Sequence, residues 1–298
     1  MRIVVSGSTG MIGAALVAHL SEQGHDILRL VRSEPPPGSH DIRWDPTSGE
    51  FDLARLEGID AVVHLSGESI AGRWTAEKKA RVRDSRIVSA RVLCEALGTL
   101  ENPPGVLVSA SATGYYGDRG DELLMEDSPP GTGFLADLCR DWEAATEPAA
   151  KSGVRVANTR FGVVLSRSGG MIERVLPIFK RGVGGMLGPG DQYMSWVAID
   201  DLIRAVEYVI SNSALRGPVN IVSPNPVTNR EFTKALAKVL SRPAPFFVPA
   251  FALRLAYGEM ADDTLLSSAR VRPARLLASG FEFAHPDLEP ALRHVLRM

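Results

Sequence analysis

Cysteine is scarce in this chain, with Cys94 and Cys139 the only two in 298 residues, both inside helical patterns. That excludes a disulfide framework, offers no metal-ligand spacing, and suits a reducing compartment. An excess of charge of either sign is also lacking: 33 Lys and Arg stand against 35 Asp and Glu, a net charge of −2. Electrostatic nucleic-acid binding requires a concentrated basic face, so no nucleic-acid partner is expected. No apolar run approaches the roughly 20 residues of a membrane span, so no membrane partner is expected. Internal repeats and low-complexity linkers are absent. The first strand pattern begins at residue 2. It is read as leaving no room for a signal or transit peptide, hence a cytoplasmic protein.

What is present is an ordinary globular composition, 45% hydrophobic and 23% charged, over a length that suits two packed units. An apolar run, Ile3 to Val5, ends in Gly7-Ser8-Thr9-Gly10-Met11-Ile12-Gly13 and gives way to an amphipathic run from Ala14 to Gln23. Strand, tight turn and helix is the context in which glycines at this spacing imply a dinucleotide. Gly7 permits the sharp turn, Gly10 lets backbone approach a pyrophosphate, and Gly13 lets the helix pack close to the strand. The helix N-terminus then aims free N–H groups at the phosphates.

A second strand, Asp26 to Val31, comes about 20 residues on. Where it ends, NAD-specific proteins usually carry an Asp or Glu for the ribose 2′-hydroxyl. This chain has Val31-Arg32-Ser33 there. A guanidinium at that point pairs with a 2′-phosphate and no carboxylate repels it, so the expected cofactor is NADP(H). Asp45, after the next short strand, is read as capping the turn 46–49 rather than touching the adenine.

Strand and helix patterns alternate through the first half, which predicts an α/β fold with a doubly wound parallel sheet. An apolar strand from Asp60 ends in Ser66-Gly67, and Thr75 to Leu97 reads as a helix capped by Thr75. Val106 to Ser109 is a strand running into Ala110 to Gly117, 118–133 a polar loop, Phe134 to Ser152 a helix, and Arg155 to Leu165 a strand. Beyond these, Gly182 to Asp191 is expected to be irregular, Val197 to Ser211 helical with Asp200 and Asp201 as caps, and Pro218 to Val222 a strand. Thr228 to Leu240 reads as a helix with Thr228 and Glu231 as a capping pair. The expected organisation is a nucleotide-binding unit over 1–166 that also receives 195–222. A smaller α+β lobe is built from 167–194 and 223–298. His64, inside an apolar strand, is read as a core histidine, and Trp74 and Trp196 as packing residues.

Several motifs together resemble the extended short-chain dehydrogenase/reductases, the nucleoside-diphosphate-sugar epimerase-like proteins with a Rossmann sheet. They are the glycine loop, His64-Leu-Ser-Gly67, Ser109-Ala-Ser-Ala-Thr-Gly-Tyr-Tyr-Gly117 and Trp196-Val-Ala-Ile-Asp-Asp-Leu202. Gly72-Arg-Trp74, Asp84-Ser-Arg86, Asp141-Trp-Glu143, Pro224-Asn-Pro-Val-Thr-Asn229 and Pro273 to Phe281 narrow the resemblance. They are similar to an atypical branch with its own C-terminal extension. The resemblance implies that Arg32 contacts the NADP phosphate and that Leu65 and Ser66 run beneath the pyrophosphate and ribose. It implies that Arg86 reaches the cofactor phosphates and that Val163 walls the nicotinamide. It also implies a homodimer through the helices after the fourth and fifth strands, although neither 75–97 nor 134–152 shows a decisive apolar stripe.

Ordinary members use a Tyr with a Lys four residues later, on the helix after the fifth strand. The lysine and the cofactor ribose lower the phenol's pKa for proton exchange with substrate. Here that helix reads Phe134-Leu-Ala-Asp-Leu-Cys139, and neither register supplies the pair. The resemblance makes Ser111 the group that hydrogen-bonds a substrate oxygen, and Tyr115 or Tyr116, the latter preferred, is the candidate phenol. The implied function is NADP(H)-dependent oxidoreductase or epimerase-like chemistry on a small-molecule substrate, a polar or nucleotide-linked carbonyl or alcohol. The alternative is a catalytically silent NADP(H)-binding sensor or regulatory protein.

Overall fold

The computed structural model describes residues 1–36, 38–46 and 51–298. Most of the turn assigned to Asp45 lies outside the described residues.

Short runs of Val, Ile and Leu form strands because β-branched and aliphatic side chains suit a pleated surface buried on both faces. In chain order they are β1 (Arg2–Ser6), β2 (Asp26–Val31), β3 (Ile42–Arg43), β4 (Ala61–His64), β5 (Val106–Ala112), β6 (Leu123–Leu124), β7 (Arg155–Phe161) and β8 (Val163–Leu165). There follow β9 (Gly185–Leu187), β10 (Tyr193–Met194), β11 (Trp196–Ala198), β12 (Gly217–Ile221), β13 (Val227–Thr228), β14 (Phe246–Val248) and β15 (Arg270–Val271). Seven of these make one parallel sheet in the order β3-β2-β1-β4-β5-β7-β12. The strand order reverses between β1 and β4, which opens a crevice at their carboxyl ends.

The helices are α1 (Met11–Glu22), α2 (Ala76–Leu97), α3 (Phe134–Ala144), α4 (Glu147–Lys151) and α5 (Gly170–Lys180). The second half carries α6 (Ile199–Ser211), α7 (Asn229–Leu240), α8 (Ala250–Tyr257), α9 (Ala274–Ala278) and α10 (Leu288–Leu296). Alternate residues of β1 point to opposite faces of the sheet. Ile3 and Val5 join Leu16 and Leu20 of α1 and Val206 and Val209 of α6. Val4 joins Leu93 and Leu97 of α2 and Ala149 of α4. A further core gathers Phe179 of α5, Phe232 and Leu236 of α7 and Leu292 of α10 around the buried Trp196.

Two caps are as the sequence indicates. Thr75 accepts from the Lys78 amide, and Thr228 with Glu231 forms a reciprocal capping box. Other elements differ. The run 155–165 is two strands: at Gly162 the chain leaves β12 and turns to β11, with Gly162 N donating to Ile221 O and Val163 N to Ser195 O. A Cβ on Gly162 would lie 2.6 Å from Ser195 O, so only glycine permits the crossing. The stretch 134–152 breaks after Ala145 into α3 and α4, with Pro148 in the first turn of α4. Residues 182–191 contain β9, paired with β14, and the loop 118–133 contains β6, paired with β15. Asp200 and Asp201 do not cap α6, whose N-cap is Ala198 with no side-chain bond. The fully buried Asp201 carboxylate instead accepts from the amides of Ala284 and His285, each at 2.8 Å. Among the described residues no helix is long and apolar enough to cross a membrane.

Candidate functional site

The glycine loop sits at the carboxyl end of β1, against the crevice. Gly7 has φ +68°, and a Cβ there would lie 2.7 Å from the carbonyl of Leu65. The backbone of Leu65 and Ser66 therefore passes directly against the loop, and Leu65 N donates to Ser6 O and Ser6 Oγ. On Gly13 a Cβ would lie 2.2 Å from Gly7 O, so α1 closes onto the loop only without a side chain there. Gly10 differs: its Cβ would meet only Gly7 O, at an ordinary 3.4 Å, leaving its outer side open to a ligand.

The helix start is prepared for an anion. Gly10 is the N-cap of α1, no side chain caps it, and its first turn holds no acidic residue. Its leading N–H groups, around Thr9, Met11 and Ile12, keep their positive partial charge for an external acceptor. Among the described residues, the buried Ser8 hydroxyl has no hydrogen-bond partner. A buried orphan of this kind costs stability unless a ligand oxygen meets it. At the end of the neighbouring strand Arg32 is exposed, and among the described residues its side chain makes no hydrogen bond or ion pair. An open glycine, an unpartnered hydroxyl, an uncapped helix and a free guanidinium fit a dinucleotide with an added phosphate.

His64 anchors this floor. Ser6 Oγ accepts from Leu65 N and so turns its own proton toward His64 Nδ1, 2.7 Å away. Ser89 Oγ donates to Ser85 O and accepts from His64 Nε2 at 3.2 Å. The imidazole is thereby fixed as the neutral Nε2–H tautomer, and burial pushes its pKa down to about 4. It is a core histidine, not a general base.

Arg86 is largely enclosed. Its Nη1 donates to the carbonyls of Glu68 and Val82, and its guanidinium lies 5.2 Å from the Trp142 ring centroid. It also covers the Gly67 backbone, where a Cβ would lie 3.0 Å from Cζ. The cation therefore stands beside the Leu65–Gly67 segment. Val163, at the head of β8, is half-buried and pairs with Trp196.

Ser111 and Tyr116 belong to one buried network. Ser111 Oγ donates to Glu143 Oε1 at 2.7 Å. Arg160 holds both oxygens of that carboxylate and donates through Nη1 to the Tyr116 hydroxyl at 2.9 Å. The Tyr116 hydroxyl donates in turn to Asn220 Oδ1 at 2.7 Å. Tyr116 is 0% exposed, and burial pushes its pKa up to about 12. This placement corrects the expectation of a proton-exchanging phenol, because Tyr116 is a sealed structural group with its hydrogen bonds already spent. Ser111 is also nearly covered, but it lies at the carboxyl end of β5 beside the crevice.

Leu135 and Cys139 line the face of α3 that meets Gly114, where a Cβ would lie 3.2 Å from Leu135 Cβ and 3.8 Å from Cys139 Sγ. Burial pushes the Cys139 thiol up to about 12, so it is neither nucleophile nor base. Sequence patterns give no role to two groups that shape this region. One is the Glu143–Arg160 pair, whose members lie on α3 and β7. The other is Asp263, whose carboxylate accepts from Leu135 N at 3.3 Å and stands in for a cap on α3. Burial raises its pKa above the usual carboxylate value. Both depend on contacts between distant segments, which leave no local signal.

The match to known proteins is extensive. The model of the NAD-dependent epimerase/dehydratase family matches residues 3–222, and that of a domain of unknown function (DUF1731) matches 248–295. An epimerase family protein of Mycobacterium bovis is 46% identical over 97% of this chain and 96% of its own length. A chloroplastic epimerase family protein of Arabidopsis thaliana is 37% identical over 100% of this chain and 87% of its own. The crystal structure of human epimerase family protein SDR39U1 with NADPH is 32% identical, with a TM-score of 0.91 over 100% of this chain and 99% of that one.

Proposed function

The chain belongs to the NAD-dependent epimerase/dehydratase family, and we propose that it binds NADP(H) in the crevice and acts as an oxidoreductase or epimerase-like enzyme. Its substrate would be a small polar or nucleotide-linked alcohol or carbonyl. The observation that carries the cofactor choice is Arg32, exposed and, among the described residues, without a partner where a 2′-phosphate would lie. The NADPH in the human relative's structure supports the same reading.

The residues that would hold the cofactor are Gly7 to Gly13 at the pyrophosphate, Leu65 and Ser66 beneath the ribose, Arg86 beside them, Arg32 at the 2′-phosphate and Val163 at the nicotinamide wall. When bound, the nicotinamide supplies hydride chemistry. The protein's own part is to orient and to move a proton. Ser111 has committed its hydrogen to Glu143, so its oxygen is set to accept from a substrate hydroxyl. Arg160 keeps the Glu143 carboxylate in place to take the Ser111 proton as the Ser111 oxygen takes the substrate's. The lobe of 167–194 and 223–298 would close over the substrate, in a cytoplasmic protein.

A specific observation favours the second reading, a silent NADP(H) sensor. Leu135 and Cys139 occupy α3 where an acid–base pair would be needed, and Tyr116 is sealed off. Following NADPH oxidation and NADP reduction against carbonyl and alcohol libraries decides between the two. Turnover that disappears in Ser111→Ala with NADPH binding retained supports the enzyme. Tight NADPH binding with no turnover supports the sensor.

A further inference from the structure

Away from the crevice, three metal-ligating side chains meet where the C-terminal segment crosses the start of α6. Asp200 in the first turn of α6, His285 before α10 and His294 in the last turn of α10 each offer one ligand atom, all within 4.8 Å of one another. The two imidazoles are stacked, with centroids 4.0 Å apart and planes 23° from parallel. His294 Nε2 lies 2.8 Å from an Asp200 carboxylate oxygen. Stacking brings their nitrogens side by side, and a tilt of the exposed His294 ring out of the stack would aim both at one point.

The backbone beneath this group is fixed independently. Asp201, fully buried, holds the amides of Ala284 and His285 at 2.8 Å each. His285 is thus held opposite Asp200 by the very next residue of α6. The cluster also has an open side: Asp200 and His294 line a depression of about 890 Å³ together with Ser166, Arg167 and Ser168. That opening gives an entry path and room for a water ligand.

We propose that Asp200, His285 and His294 bind one divalent transition-metal ion of the zinc class. Two imidazoles and a carboxylate suit zinc, copper or nickel, whereas magnesium and calcium favour oxygen ligands throughout. Tetrahedral ligands about 2.0–2.1 Å from zinc stand roughly 3.4 Å apart, so side chains now up to 4.8 Å apart close by up to about 1.4 Å on binding. The exposed His294 side chain has the freedom to do so. The N-terminal dipole of α6 opposes a cation weakly. Arg293, also beside the depression, has its charge offset by Glu289 at 3.1 Å. The ion would staple α10 to α6 and so fasten the C-terminal segment to the nucleotide-binding sheet.

The test is calorimetric titration of metal-stripped full-length protein with zinc, alongside thermal melts with zinc or magnesium. The expected result is one zinc per chain at about micromolar affinity, with a Tm rise of a few degrees that magnesium does not produce. His294→Ala and Asp200→Asn, both at exposed side chains, should keep the fold by circular dichroism. Each should weaken zinc binding at least about tenfold. His25→Ala, in a separate group where both His19 and His25 meet Glu207, should leave zinc binding unchanged. No stoichiometric binding, binding that survives His294→Ala, or binding lost in His25→Ala would each overturn the proposal.

Discussion

Arg160 grips Glu143 with two parallel bonds, Nε to Oε1 at 2.7 Å and Nη2 to Oε2 at 2.8 Å, directly behind the Ser111 hydroxyl. The pair is almost fully enclosed, with side-chain exposures of 3% and 13%. A buried ion pair adds little net stability, but removing one partner strands the other charge. Arg160→Met should therefore cost about 3–5 kcal/mol in urea unfolding. A loss below about 1 kcal/mol would mean that the carboxylate does not depend on the guanidinium.

The glycines of the loop should separate folding from binding. Gly13→Ala forces a methyl to 2.2 Å from Gly7 O and should lower stability by about 3 kcal/mol or more, as overpacking against rigid backbone does. Gly10→Ala meets nothing closer than 3.4 Å. It should melt within a few degrees of the parent yet bind NADPH at least about tenfold more weakly. Equal binding by Gly10→Ala and the parent would remove that residue from the phosphate site.

His64 sets a pH dependence whose direction is fixed. Its pKa in the fold is about 4, against an ordinary 6.5 when the chain is unfolded, so the fold favours the neutral ring. The stabilisation is complete above pH 6.5, falls as pH drops from 6.5 toward about 4, and changes no further below that. The full difference is on the order of 3 kcal/mol. Thermal melts across this range should show the His64→Gln variant losing less stability on acidification than the parent. Parallel losses would refute a buried neutral imidazole.

Tyr116 and Ser111 should behave differently when altered. Tyr116→Phe deletes a hydroxyl bonded to both Arg160 and Asn220, so it should cost about 1–3 kcal/mol in urea unfolding. With the fold intact at low temperature, turnover should stay within about threefold, since a sealed phenol exchanges no proton with substrate. Ser111→Ala should leave NADPH affinity intact and lower turnover by about a hundredfold or more.

Local chemistry made much of this fold readable. The glycine loop stands out because strand, turn and helix follow one another within 22 residues. Thr75 and Thr228 stand out because caps are encoded within a single turn. The break at Gly162 was not readable, since 155–165 is continuously strand-like and the change of partner depends on β11 and β12. Strands as short as Leu123–Leu124 and Arg270–Val271 exist only through each other, across more than a hundred residues. Asp201 misleads for a similar reason: its position suggests a cap, while amides at 284 and 285 claim its oxygens. In the candidate site, the glycine loop lies in one contiguous motif. The Ser111–Glu143–Arg160–Tyr116 network joins β5, α3, β7 and the turn after β5, so no spacing announces it.

Calorimetric titration of NADPH and NADH into the parent protein and into Arg32→Glu measures what the guanidinium contributes to cofactor choice. The parent should bind NADPH at least about tenfold more tightly than NADH, and the reversed charge at position 32 should remove this preference with little effect on NADH. Equal affinities for the two nucleotides in the parent, or NADPH binding untouched by Arg32→Glu, would contradict it.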